Sequence, residues 1–200
     1  MPADLTAGLE YNRDNLKDDM WGYNRYTKQT VNIGSAFLQN EWKNEKWSIL
    51  LGGRLDKHNL INHVIFSPRA NLRFNPSEDI NLRLSYSSGF RAPQAFDEDL
   101  HIENVGGTVS MIERAKNLKE EKSQSFSASA DMYHRFGAFQ VNFLVEGFYT
   151  RLSDVFVLEN IGERDGILIK ERRNGSGAKV LGLSMEGKMA YLSLFQLQAG

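Results

Sequence analysis

Residues 79–88 read DINLRLSYSS. Ile80, Leu82, Leu84 and Tyr86 take every second position, and Asn81, Arg83, Ser85 and Ser87 fill the gaps. Successive side chains of a strand point to opposite faces, so this stretch gives one apolar and one polar face. The segment before it repeats the pattern, with Phe66, Pro68, Ala70, Leu72 and Phe74 against Ser67, Arg69, Asn71, Arg73 and Asn75. Further on, Phe126, Ala128, Ala130 and Met132 oppose Ser125, Ser127, Ser129 and Asp131. Then Phe139, Val141, Phe143 and Val145 oppose Gln140, Asn142, Leu144 and Glu146. Weaker alternation marks Leu5–Arg13, Gln29–Trp42, Lys46–Lys57, Ala178–Lys188 and Tyr191–Ala199. The expected fold is all-β, an antiparallel meander of about nine or ten long strands.

Strand length and connection length sharpen this. Several segments run for ten residues or more, matching the roughly 9–11 that a tilted strand needs to cross a bilayer. Short links fall at Lys43–Glu45, Pro76–Glu78, Phe136–Ala138 and around Ala190. Long ones fall at Asp14–Lys28, His58–Ile65, Gly89–Glu120 and between Ser153 and Gly177. Short turns at one end and long loops at the other are the pattern of a transmembrane β-barrel. Trp42, Trp47, Phe74, Phe136, Phe139 and Tyr191 lie near short links, and Tyr11, Tyr86 and Tyr149 near the opposite strand ends. Such rings suit the two levels where hydrocarbon meets headgroup.

Composition excludes other classes. The 200 residues carry a formal net charge of −1, which gives no pull towards nucleic acid. There is no cysteine, so disulfides and thiolate metal sites are excluded. No run approaches the roughly 18 apolar residues of a transmembrane helix. Nucleophile–base pairs, phosphate-cradling glycine loops and nucleotide fingerprints are missing, so no enzyme activity and no cofactor are expected.

Beyond Arg83 the chain continues through Gly89-Phe90-Arg91-Ala92-Pro93, and a Ser-rich alternation opens at Glu121. Phe148, Tyr149, Asp154 and Phe156 form a Phe-Tyr-x-x-x-x-Asp-x-Phe pattern. Arg172, Asn174, Gly177, Val180 and Gly182 follow on a return strand, and Gly53, Arg54, Asp56 and His58 close an earlier one. In this order the motifs resemble the barrel domain of TonB-dependent receptors, nearest to the cobalamin and siderophore receptors. The resemblance implies a Gram-negative outer-membrane importer of a scarce nutrient, captured by extracellular loops. It implies a plug domain inside the barrel and a TonB-type periplasmic partner that supplies the energy. Such a barrel has about 22 strands, so residues 1–200 are expected to form a partial β-barrel domain, with the plug and the remaining strands outside it.

Aromatic and planar cationic side chains on connections are the expected substrate contacts, because rigid rings give contact area at little entropic cost. Trp21 and Tyr23 in the first long connection, and Phe90 and Arg91 at the start of the third, are the candidates. Asp56, His58 and His63, with His101 elsewhere, match no defined ligand spacing, and no metal site is expected. Arg69, Arg73 and Arg83 project to the polar face, towards a lumen or a plug. Two other readings compete. A passive porin segment shares the alternation without a plug. A soluble ligand-binding β-barrel would turn its apolar face inward.

Overall fold

The computed structural model describes residues 2–95, 103–105, 108–192 and 194–200. In chain order the strands are β1 (Ala3–Met20), β2 (Arg25–Lys43), β3 (Trp47–His58), β4 (Val64–Ser77), β5 (Ile80–Arg91), β6 (Glu103–Val105), β7 (Thr108–Arg114), β8 (Glu121–Phe136), β9 (Phe139–Ser153), β10 (Phe156–Arg164), β11 (Ile167–Asn174), β12 (Ala178–Tyr191) and β13 (Phe195–Ala199). One short 3₁₀ turn, Trp21–Tyr23, caps the first hairpin. Nine strands form one antiparallel sheet in the order β1-β2-β3-β4-β5-β8-β9-β12-β13. This is the expected meander, interrupted twice where the chain leaves the sheet and returns beside the strand it left.

Register fixes the two faces, because directly opposed residues point the same way. One row runs Phe74, Leu82, Ala130, Val145 and Met185 across five strands. The neighbouring row, on the other face, runs Arg73, Arg83, Ser129, Glu146 and Ser184. The apolar face is left uncovered: Leu9, Leu38, Leu84, Phe126, Leu181 and Leu183 are among the large exposed hydrophobics. The polar face satisfies itself sideways. Ser85 and Ser127 share a hydrogen bond of 2.7 Å, and Ser125 and Thr150 one of 2.9 Å. The Asn142 amide donates to Asp131 at 2.5 Å.

Aromatic rings pair near the short links, Trp47 stacking on Phe74 at 4.1 Å and Phe139 against Tyr191 at 4.7 Å. At the other level Tyr86 meets Phe126 at 4.7 Å. Phe148 and Gly182 are opposed on the polar face, and a Cβ at Gly182 would lie 2.5 Å from the Phe148 ring. The glycine is there to let the ring lie flat.

The long connections differ from their expected form. Asp14–Lys28 is almost entirely strand: β1 and β2 stay paired out to Met20 and Arg25, with only the 3₁₀ turn and Asn24 between them. Gly89, Phe90 and Arg91 still belong to β5, and the connection after them contains β6 and β7. The segment after Ser153 contains β10 and β11. These four excursion strands form a second sheet, β10-β11-β7-β6, in which β11 and β7 run parallel. The antiparallel rule therefore holds for the wall and fails among the connections.

Candidate functional site

The buried hydrophobic side chains, Val31, Ile61, Ile65, Ala92, Ile112 and Ile169, all lie towards the long-connection end. The wall has no core of its own, and packing is concentrated where the connections meet.

Three ties assemble that end. His58 is fully buried; its Nδ1 accepts the Leu60 N–H at 3.0 Å, so Nε2 holds the proton and donates to Gln94 at 3.3 Å. The Ala95 N–H donates to the Gln29 side chain at 2.8 Å. The segment leaving β5 thus crosses the polar face past β3 to β2. Third, Asn174 at the end of β11 acts as a main-chain substitute. Its side chain accepts the Lys119 N–H at 2.8 Å and donates to the Lys119 carbonyl at 3.0 Å and the Asp154 carbonyl at 2.7 Å. Asp154 itself has a left-handed φ of 54° and turns the chain out of β9. At Gly177 φ is +105°, and a Cβ would sit 2.6 Å from the Leu152 carbonyl oxygen. The Asp154, Asn174 and Gly177 positions of the sequence motifs are therefore the hardware of this connection.

Between the first hairpin and the second sheet lies a cavity of about 640 Å³. Residues 23–28 of the hairpin form one wall, with Ala95, residues 111–114 of β7, and Arg164, Asp165, Ile167 and Ile169 opposite. Among the described residues, four cationic side chains line it (Arg25, Lys28, Arg114 and Arg164) against two carboxylates, Glu113 and Asp165. Arg25 donates to the Ile112 carbonyl at 3.1 Å, and Arg164 pairs with Glu113 at 3.1 Å. These contacts fasten the three connections to one another around the opening. An anion fits such a lining better than a cation does.

Of the four candidate contacts, the structure brings only Tyr23 to the cavity. Trp21 stands at the hairpin tip, 89% exposed. Phe90 packs on Ile61, Ile65 and Ala92, beneath the connections. The Arg91 guanidinium lies 5.6 Å from the centre of the Phe156 ring, a cation–π distance. The four basic lining residues escaped sequence reading because a charge in a connection is indistinguishable from a solvated one until its neighbours are known.

His63 pairs with Glu120 at 3.1 Å, and Lys122 with the same oxygen at 3.0 Å. Burial opposes ionisation of Glu120, but its own backbone N–H, the Lys122 ammonium and His63 outweigh it and hold the carboxyl below the usual range. No metal-ligating cluster forms among the described residues. Phe96, the acidic run Asp97–Asp99 and His101 lie outside the described residues.

A sheet of long antiparallel strands, apolar outside and polar inside, with a built-up rim at one end, is an arc of a large β-barrel. The chain belongs to the TonB dependent receptor-like, beta-barrel family, whose model matches residues 2–200. Its fold is shared with the siderophore receptor PirA from Pseudomonas aeruginosa, at TM-score 0.79 and 18% identity, covering 98% of this chain and 39% of that one. The siderophore receptor PirA from Acinetobacter baumannii aligns at TM-score 0.67 and 18% identity, over 95% of this chain and 32% of its own. The FrpB iron transporter from Neisseria meningitidis aligns at 0.67 and 15% identity, over 96% and 32%. No curated protein matches the chain. The chain spans about a third of the length of these structures.

Proposed function

We propose that this chain is an arc of the wall of a TonB-dependent receptor in a Gram-negative outer membrane, importing an iron–siderophore complex. The apolar face meets lipid and the polar face meets the plug that receptors of this family carry. The rim at the long-connection end faces outward and captures substrate. A periplasmic TonB-type protein acts on the plug to release it, so transport draws on no cofactor in this arc. Cobalamin is the second nutrient that the sequence motifs suggest. The lining of the rim cavity, four cations against two carboxylates among the described residues, favours an anionic iron chelate over it. Trp21 and Tyr23 are the first contacts from the hairpin tip; Phe90 and Arg91 support the rim from below.

The test uses the full-length receptor with Lys28→Ala and Arg164→Ala combined. Losing two charge-assisted contacts should weaken binding of a ferric catecholate siderophore by about tenfold or more, with cobalamin binding and barrel yield unchanged. Siderophore binding unaltered by the double substitution would remove the cavity from the site.

A further inference from the structure

The apolar face carries a feature that import does not require. Arg151 on β9 is directly opposed to Lys179 on β12. Two like charges opposed across a strand pair repel. Neither side chain has an ion pair or hydrogen bond among the described residues, and both are exposed. Gln124 on β8 is opposed to Arg151 from the other side; Lys122, two residues further along β8, is already paired with Glu120 and leaves Arg151 and Lys179 as the uncompensated charges. A cleft of about 330 Å³ opens here, lined by Arg151, Lys179, Ser153 and Ser176 among others.

The next row on the same face, about 6.7 Å along the strands, is Phe126, Tyr149 and Leu181. There an apolar groove of about 830 Å³ begins, floored by Ala128 and Gly147 and walled by Leu84, Phe126, Tyr149 and Leu183. The small floor residues make a depression between large neighbours. A basic, uncompensated cleft thus sits end to end with an apolar groove, at the long-connection level of the wall.

We infer that this pair of cavities is a binding site for a phosphorylated, acylated glycolipid of the outer leaflet, of the lipid A type. Its phosphate sits between Arg151 and Lys179 and an acyl chain lies over Ala128 and Gly147. A phosphate relieves the repulsion of the opposed cations through charge-assisted hydrogen bonds. The acyl chain covers the depressed floor that straight lipid packing leaves open. The inference rests on the reading of this face as lipid-facing, which insertion and heat-modifiable gel mobility of the unaltered receptor test separately.

The full-length receptor, purified in mild detergent, is titrated with lipid A, with dephosphorylated lipid A and with phosphatidylglycerol, and adducts are counted by native mass spectrometry. Lipid A should be retained over the other two. Arg151→Gln with Lys179→Gln should weaken its retention by about 30-fold, from the contribution of each basic residue at an anionic lipid surface. Ala128→Phe, which fills the groove and leaves both cations, should weaken it as well. Arg13→Gln, a charge change elsewhere on the wall, should leave it unchanged. Equal retention by the double variant, or equal retention of dephosphorylated lipid A, overturns the site. Phosphatidylglycerol held as tightly as lipid A overturns the assignment of its occupant.

Discussion

The nine-stranded wall and the four-stranded sheet above it are built on different principles. In the wall each strand meets the one that precedes it in the sheet's own course, and no side chain of the apolar rows is buried by protein. Its order comes from continuous backbone pairing and from the contrast between its faces. In the upper sheet, β7 pairs in parallel with β11, so that Val109 meets Ile167 and Arg114 meets Arg172. Ser110, Ile112, Ile169 and Arg172 are buried within it. Side chain–main chain ties such as those of Asn174 hold it to the wall. The wall is set by solvent on each side; the rim is set by packing.

The sharpest way to break the comparison is to put the same charge on each face of the wall. Leu82→Arg should impair assembly of the full receptor by about 2–4 kcal/mol, the cost of a midplane charge on a lipid-facing strand, whereas Asn81→Arg should be tolerated. Heat-modifiable gel mobility reads the difference; equal folding of the two would mean that the apolar face does not face lipid.

Asn174→Ala probes the rim. It removes three hydrogen bonds joining Lys119, Asp154 and β11, each with a typical net value of about 1 kcal/mol. Amide hydrogen exchange should quicken across residues 115–119 and 154–156, while residues 80–86 of the wall stay protected. Uniform quickening would show that rim and wall unfold as one unit.

The smallest effect concerns their junction. The Glu120 carboxyl is held below its ordinary range by its own backbone N–H, Lys122 and His63 against the pull of burial. A depressed folded-state value contributes stability above the unfolded value and loses it as pH falls through the folded one. Local exchange around residues 120–122 should therefore quicken on acidification below about pH 4.5. Glu120→Gln should be quick already at neutral pH and lose that acid dependence. A Glu120→Gln variant with the same acid profile would assign the loosening to another group.

The strands of the wall are legible where their two faces differ in polarity. Ile80, Leu82 and Leu84 alternate with Asn81, Arg83 and Ser85 because one side is apolar and the other wet. The same strands became illegible past that zone. Leu16 to Met20 are as firmly paired as Leu5 to Leu9, but the charged Asp18 stands between Leu16 and Met20 on the half-buried face, so the alternation fades and the stretch reads as a loop. Asn174 and Gly177 stand out in the sequence as motif residues, but the clamp and the strained turn that they form do not. Type and position point to the rim for Tyr23. Nothing local does so for Arg25, Lys28, Arg114 and Arg164, which lie far apart in the chain and are gathered only when the hairpin meets β7 and the β10–β11 turn.

The sequence by itself determined the all-β class, the two faces of the wall and the end at which the connections are long. Each follows from local rules: a period of two, turn length and side-chain polarity. Only the tertiary structure decided that β7 lies beside β11, that three connections enclose a basic cavity, and that Arg151 and Lys179 share a row above an apolar groove. These pairings join segments far apart in sequence, and no periodicity in one segment records the identity of its distant partner.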